Sequence, residues 1–468
     1  MDLKGVFEPR RVAVIGVSLS NPFHPANIVY NKNYYGYDSE VFAVNPRGGD
    51  LERRPVYKSV CEIPGEVDQA VVAVKARLVP DIARECAQAG VKSLVVLSGG
   101  FAETRTSEGI ALQDELLEVC RRNSIALIGP NCLGVYSPPF TNSLFLPPER
   151  TTLPPAGDIA VASQSGAFLV DQILTRFKES GVGISVGVSI GNKAMIDEVS
   201  MLRHFAERDD THAMVFYMEG MDRRAREFVE TAGEVTKSKP VVVYLGGKSQ
   251  KGMEAARSHT AALAGNIEIM SAALKQKGVI EAQNESEITS FCKIFSYYRN
   301  QPLRQGNIAI ISASGGHGVI TADLATKAGL KVPQFSAERR EALRLVVEDA
   351  IKDIASFQNP VDLTGSASDQ DFERVLDYLL AQEDIEATII LALPYTPLVT
   401  SFIGTRLGQV VRNLNKPVVA YVPNLAKYGM VLEGFELNGI PVVHSIEAAV
   451  EMLRALRLLA LYCTRDGC

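Results

Sequence analysis

The 468-residue chain contains no run approaching the ~18 consecutive apolar residues of a membrane-spanning helix. It has no basic excess: 48 Lys and Arg stand against 54 Asp and Glu, a net charge of −6. No general field for nucleic acid or an anionic membrane follows from such a balance. The seven cysteines, at positions 61, 86, 120, 132, 292, 463 and 468, include no CxxC pair. Neither a metal site nor a disulfide framework is indicated. The opening MDLKGVFEPRRVAVIGV enters a strand directly and lacks the basic start and apolar core of a signal peptide. With scattered thiols, a reducing cytoplasm is the economical expectation.

Two nucleotide signatures are also missing. The first strand, RVAVI at 11–15, ends in Gly16-Val17-Ser18-Leu19-Ser20-Asn21, a turn with one glycine where a dinucleotide fingerprint needs GxGxxG. The second strand, 41–44, is followed by Asn45-Pro46-Arg47, not by the acidic residue that holds an NAD ribose. An NAD-dependent dehydrogenase is disfavoured. Arg47 offers a cation where a phosphate could sit, though a solvated loop residue would look the same. Nor is there a Walker loop, since the glycine-rich turns are too few and too short.

What is present is the composition of a globular protein, 46% hydrophobic and 22% charged. At about 150 residues per domain the length suggests three domains. Strands alternate with helices along the first part: 11–15, 41–44, 69–74, 93–97 and 126–128 as strands, 27–35, 79–88 and 114–123 as helices. That rhythm predicts a doubly wound parallel sheet, whose ligands bind at the carboxyl ends of the strands. Those ends are Gly16-Val17-Ser18, Asn45-Pro46-Arg47, Val74-Lys75 and Ser98-Gly99-Gly100. Residues 137–156, rich in proline, read as a connection between domains.

A second module starts at Asp158. Its first strand runs into Ser163-Gln164-Ser165-Gly166-Ala167 and then an apolar helical run. A strand, a tight Ser/Gly turn and a helix place free backbone N–H groups at a helix N-terminus, which suits phosphate; a plain N-cap serine is the simpler reading. The next strands end at Ser189-Ile190-Gly191-Asn192-Lys193, at Glu219-Gly220 and at Gly246. After Gly246 comes GGKSQKGMEAARSHTAALAGN, with His259 among small residues. Imidazole is a nucleophile near neutral pH and can carry a covalent group between two steps. On the local sequence alone, an ordinary surface or helix-start histidine after a βα loop is the simpler reading of His259. If the strands are parallel, however, Ser165, Asn192, Glu219 and the His259 segment all leave one edge of one sheet. A third module begins near 307, with strands at 307–311, 387–392 and 417–422, a polar turn at 359–364 and an amphipathic helix at 445–459. Its SASGGHG turn resembles the Ser163 turn, and His317 within it reads as structural or as the neighbour of a phosphate turn.

The order of motifs resembles the α subunit of ADP-forming (NDP-forming) acyl-CoA synthetases, in the succinyl-CoA synthetase superfamily. The matching pieces are IGVS at 15–18, VNPRG at 44–48, GGFAE at 99–103, GPNCLG at 129–134, SQSGA at 163–167, SIGNKA at 189–194, MEG at 218–220, RSHTAALAG at 257–265 and NPVDLTG at 359–365. The resemblance implies three α/β modules: a Rossmann-like CoA-binding domain over 1–128 and two flavodoxin-like domains over 129–302 and 303–468. It implies CoA at Gly16, Val17, Ser18, Arg47 and Gly99, with Glu103 in the same region. It implies phosphate at Ser163, Gln164, Ser165, Gly166 and Asn192. His259 matches the phosphorylated histidine of the family and Glu219 the carboxylate that orients it. Most relatives have lysine where Arg47 stands, and their first turn is richer in glycine. The implied activity is that of an acid–thiol ligase, passing phosphoryl from an acyl phosphate through His259 to ADP, most simply with acetate or another monocarboxylic acid. No ATP-grasp-like segment is found. The resemblance therefore implies a separate β subunit carrying nucleotide and Mg²⁺, in an α₂β₂ assembly. The competing expectation is a CoA-binding regulatory or scaffold protein with a degenerate ligase site. Intact His259, Glu219 and SQSGA speak against it.

Overall fold

The computed structural model of the chain describes residues 3–221, 224–259 and 267–463, except the side chains of 255–259 and 463. The chain divides into two compact units, 1–285 and 286–468. The first unit holds two seven-stranded sheets and the second a five-stranded sheet.

In the first sheet the strands are β1 (Arg11–Ile15), β2 (Glu40–Val44), β3 (Gly49–Leu51), β4 (Arg54–Tyr57), β5 (Gln69–Val72), β6 (Ser93–Val96) and β7 (Ala126–Ile128). Their spatial order is β3-β4-β2-β1-β5-β6-β7. All pairs are parallel except the β3–β4 flap. Without β3 the order is the doubly wound 3-2-1-4-5-6, whose switch point lies between β1 and β5. The strands are nearly continuous Val, Ile, Leu and Ala because helices such as Pro25–Gly36 and Val79–Gln88 pack on their faces. The expected helix over 114–123 starts earlier, at Ser107, where the Thr106 hydroxyl accepts the Gly109 N–H at 3.1 Å.

The second sheet comprises β8 (Val135–Ser137), β9 (Thr141–Asn142), β10 (Ala156–Ser163), β11 (Ile184–Ser189), β12 (Ala213–Met218), β13 (Val241–Leu245) and β14 (Ile280–Ala282). The order is β14-β13-β12-β10-β11-β8-β9. Strands β10 to β14 are mutually parallel in the flavodoxin order 2-1-3-4-5, with the switch point between β10 and β12. The start of the proline-rich stretch expected to be a plain connection belongs instead to the antiparallel β8–β9 hairpin on the β11 edge, and the connection proper follows it. Two prolines cannot donate to a ladder, but they suit the hairpin turn, and the strands flanking them bury Val135, Tyr136 and Asn142. The Asn33 side chain ties this hairpin back to the helix Pro25–Gly36. Its amide donates to Asn142 O at 2.7 Å, and its oxygen accepts the Asn142 N–H at 2.8 Å.

One apolar core runs from Val14 and Ile128 through Val135 and Val188 to Phe205, Phe216 and Phe228. Each of these phenylalanines is fully buried and contributes about 1.5–3 kcal/mol relative to exposure.

In the second unit, β15 (Ile308–Ser312), β16 (Val361–Asp362), β17 (Ala387–Leu391), β18 (Val418–Tyr421) and β19 (Val442–Val443) form a parallel sheet in the order β16-β15-β17-β18-β19. This is again 2-1-3-4-5. The expected polar turn at 359–364 contains β16. Asn359 lies below it, buried, and its side chain accepts the Ile310 N–H and donates to Ile308 O, standing in for a ladder bond.

Candidate active site

The four parallel strands β10 to β13 end on the same edge, so the Ser163 turn, the Asn192 turn, Glu219 and the segment after Gly246 leave the sheet together. At the switch point, Gln164 extends the ladder one residue past the strand. Its N–H donates to Tyr217 O at 3.1 Å, and its side-chain oxygen accepts the Glu219 N–H at 2.8 Å. Ser163 Oγ donates to Ser165 O at 2.6 Å and closes the turn. Ser165 is the N-cap, its Oγ accepting the Phe168 N–H at 3.4 Å. A continuous helical run follows, from Gly166–Phe168 through a π-helical turn at Leu169–Leu174 to Thr175–Glu179. First-turn N–H groups have no carbonyl behind them, so this end is electropositive without a formal charge. Gly166 is required by close approach: a Cβ there would meet Leu133 Cβ at 2.6 Å.

This turn opens on a cavity of about 670 Å³ whose other wall comes from the first sheet. Glu103, Gln113, Asn131, Gln164, Ser165, Gly166 and Asn192 all line it. Glu103 accepts the Gly100 N–H at 2.5 Å, the Phe101 N–H at 3.1 Å and the Asn192 amide at 2.5 Å. Burial pushes its carboxyl up, but those donors outweigh burial and hold it below the usual glutamate range. Gly99 sits against the same group: a Cβ there would lie 3.1 Å from Asn131 Oδ1 and 3.3 Å from Glu103 Oε1.

Asn192 lines the cavity but is already engaged. Its amide nitrogen donates to Glu103 and, at 3.0 Å, to Gln113, its oxygen accepts from Asn131 at 3.3 Å, and its N–H donates to Pro130 O at 2.9 Å. In this arrangement it has no donor left for phosphate. Through these bonds its side chain links the two walls of the cavity.

Two of the three cations that line the cavity are likewise paired. Lys193 donates to Glu198 at 2.6 Å and to Gly220 O at 3.0 Å. Arg224 meets Asp197 at 2.7 Å and Glu227 at 2.7 Å. Lys193, Asp197, Glu198 and Arg224 were not singled out from sequence. The signal was available for Lys193, which follows a Gly-Asn turn and has φ of +46°. Lys193 and Arg224 are thus matched by carboxylates, whereas Arg121, which also lines the cavity, adds positive charge to that of the oriented N–H groups.

Gly16, Val17, Ser18 and Arg47 lie away from this cavity, beside the β1/β5 switch point. Gly16 has φ of +102°, and a Cβ would fall 2.5 Å from Ala73 O. The Ser18 N–H donates to Asn27 Oδ1 at 2.6 Å and Asn27 donates back to Ser18 O at 2.8 Å. Asn45 donates to Val17 O at 2.7 Å and accepts the Arg47 N–H at 2.9 Å, which fixes the loop and leaves the Arg47 side chain exposed.

His259 ends the helix Gln250–His259, but its side chain, and residues 260–266 after it, lie outside the described residues. Glu219 is buried, and Tyr217 Oη donates to its Oε1 at 3.3 Å. In the third sheet, His317 Nδ1 pairs with Ser314 Oγ at 3.2 Å and its ring lies 5.8 Å from Tyr421. Among the described residues no group of three or more His, Cys, Asp or Glu side chains is placed to hold a metal ion. Nor is any described helix long and apolar enough to cross a membrane.

Two family models match. Residues 10–138 match a CoA binding domain, and residues 156–295 match a succinyl-CoA ligase like flavodoxin domain. The chain is 36% identical to subunit alpha of the ADP-forming acetate–CoA ligase I of Pyrococcus furiosus, covering 97% of each protein. It is 39% identical to the ADP-forming acetate–CoA ligase I of Archaeoglobus fulgidus over 84% of its own length, but spans only 55% of that longer protein. Among solved structures, the dinucleotide forming acetyl-coenzyme A synthetase 1 of Candidatus Korarchaeum cryptofilum, in complex with phosphate and ADP, superimposes with a TM-score of 0.88 at 28% identity, covering 100% of this chain and 99% of that one. The doubly wound first sheet, the switch-point turn of the second and this end-to-end similarity agree: the chain belongs to the family of ADP-forming acetate–CoA ligase α subunits.

Proposed function

We propose that the chain is the acyl-transfer subunit of an ADP-forming acyl-CoA synthetase acting on acetyl-CoA or another monocarboxylic acyl-CoA. The observation that carries this reading is the cavity in which the Gly99–Glu103 loop of the first sheet faces the Ser165–Gly166 helix start of the second. CoA lies along the β1/β5 switch point, near Gly16, Val17, Ser18 and Arg47, and brings its thioester past Gly99 into the cavity. Phosphate sits on the N–H groups at Ser165 and Gly166. A phosphate oxygen attacks the acyl carbon, the C–S bond breaks, and the CoA thiolate takes a proton. The acyl phosphate then gives its phosphoryl group to an imidazole nitrogen of His259, and the carboxylate leaves. Glu219 accepts the N–H of the other ring nitrogen and stabilises the charged phosphohistidine. ADP finally takes the phosphoryl group, forming ATP.

The second substrate site belongs to a partner. Relatives of this chain are α subunits, and the longer Archaeoglobus protein has room for a fused second part. An ATP-grasp β subunit holding nucleotide and Mg²⁺, in an α₂β₂ assembly in the cytoplasm, completes the reading. The functional division into 1–128, 129–302 and 303–468 belongs to it as well.

The test is phosphorylation. The chain combined with its partner, ATP and Mg²⁺ should acquire an acid-labile, base-stable phosphate, and His259→Asn should abolish it. Undiminished incorporation in that variant would show that another residue is the nucleophile.

A further inference from the structure

Tyr217 stands between three parts of the second-sheet site. Its ring is stacked on Phe168, in the first turn after Ser165, with centroids 4.0 Å apart and planes 17° from parallel. Tyr244, its register partner on β13, lies 5.9 Å from Tyr217 and 5.5 Å from Phe168. The Tyr217 hydroxyl donates to Glu219 Oε1 at 3.3 Å, longer than the usual O–H···O range. A Cβ on Gly246 would come within 3.1 Å of that hydroxyl, so glycine at the root of the His259 segment leaves it room. Burial pushes the Tyr217 hydroxyl up, and the Glu219 charge adds to this, so it is a protonated donor at neutral pH. The Glu219 N–H, meanwhile, is taken by Gln164. One carboxylate is thus fixed twice, through its main chain by Gln164 and through its side chain by Tyr217.

We propose that Tyr217 is a positioning residue for phosphoryl transfer, aiming the Glu219 carboxylate and coupling that aim to the phosphate-binding turn through its stack on Phe168. The inference rests on reading Glu219 as the partner of His259. A hydroxyl donated to Oε1 restricts the rotation of that carboxylate.

Tyr217→Phe keeps the ring and the stack and deletes only the donor. In the complete enzyme, single-turnover phosphorylation by ATP should fall about tenfold while KM for acetyl-CoA and phosphate stays within about twofold. Glu219→Gln should lose more, and adding Tyr217→Phe to it should cost nothing further. A wild-type rate in Tyr217→Phe, with Glu219→Gln impaired, overturns the role of Tyr217 alone. Full additivity in the double variant does the same. A wild-type rate in Glu219→Gln overturns the reading of Glu219 and this inference with it.

Discussion

The side-chain amide of Asn192, past β11 in the second sheet, donates to the Glu103 carboxylate, past β6 in the first, at 2.5 Å. A single ionised group thereby joins the two walls of the cavity. Its pKa is depressed in the folded chain, so its stabilising contribution is complete above the unfolded glutamate value of about 4.3 and is lost as pH falls through the lower folded value. Glu103→Gln should therefore lower the melting temperature at neutral pH, and the deficit should shrink on acidification. Melting curves of both proteins between neutral pH and pH ~3 measure this. A deficit that did not change with pH would place the loss in packing.

Replacing Gly166 with alanine drives a methyl into Leu133. The turn must open, and the N–H groups that face phosphate move with it. KM for phosphate should rise by about tenfold or more while KM for CoA changes little. Steady-state kinetics in the acyl-CoA-consuming direction separate the two.

Gly16→Ala should show the reverse pattern. Its methyl would meet the Ala73 carbonyl, and its φ of +102° is strained for any L side chain. The cost is about 1–3 kcal/mol of stability, and KM for CoA should rise with that for phosphate unchanged.

The fold was legible because strand ends carry punctuation. RVAVI followed by glycine, VFAV followed by Asn-Pro, and VVVYL followed by two glycines each mark a buried parallel strand and its carboxyl end. The Ser163 turn and Glu219 could be placed on one edge for the same reason, once the strands were parallel. The β8–β9 hairpin was not legible, since its prolines and short strands lack the alternation of a hairpin and gain their burial from β11 and from the helix Pro25–Gly36. Asp362 was hidden similarly: β16 is two residues long and its pairing depends on β15. Asn192 was assigned to phosphate from its place past a strand end and from the resemblance that its SIGNKA motif helps to carry. Its engagement by Glu103, Gln113 and Asn131 is a contact between distant segments that no local pattern records. The Lys193–Glu198 pair, buried beneath the same turn, is of that kind too.

That pair yields a stability prediction. Glu198 is 2% exposed, so Lys193→Met strands a buried carboxylate and should cost about 3–5 kcal/mol in chemical denaturation. Lys193→Met together with Glu198→Leu should regain most of it. If the double variant is as unstable as the single one, the lysine matters through Gly220 O and not through the pair.

The bonds between Asn33 and Asn142 constrain how such a protein can be rebuilt by recombination. The segment following β7 belongs by hydrogen bonding to the second sheet and by the Asn33 clamp to the first module. A chimera that exchanges the first module at residue 128 would inherit a hairpin without its asparagine, and one that cuts after residue 142 would leave β11 with a foreign edge. Donor modules can be swapped only if the asparagine and the hairpin travel as a pair.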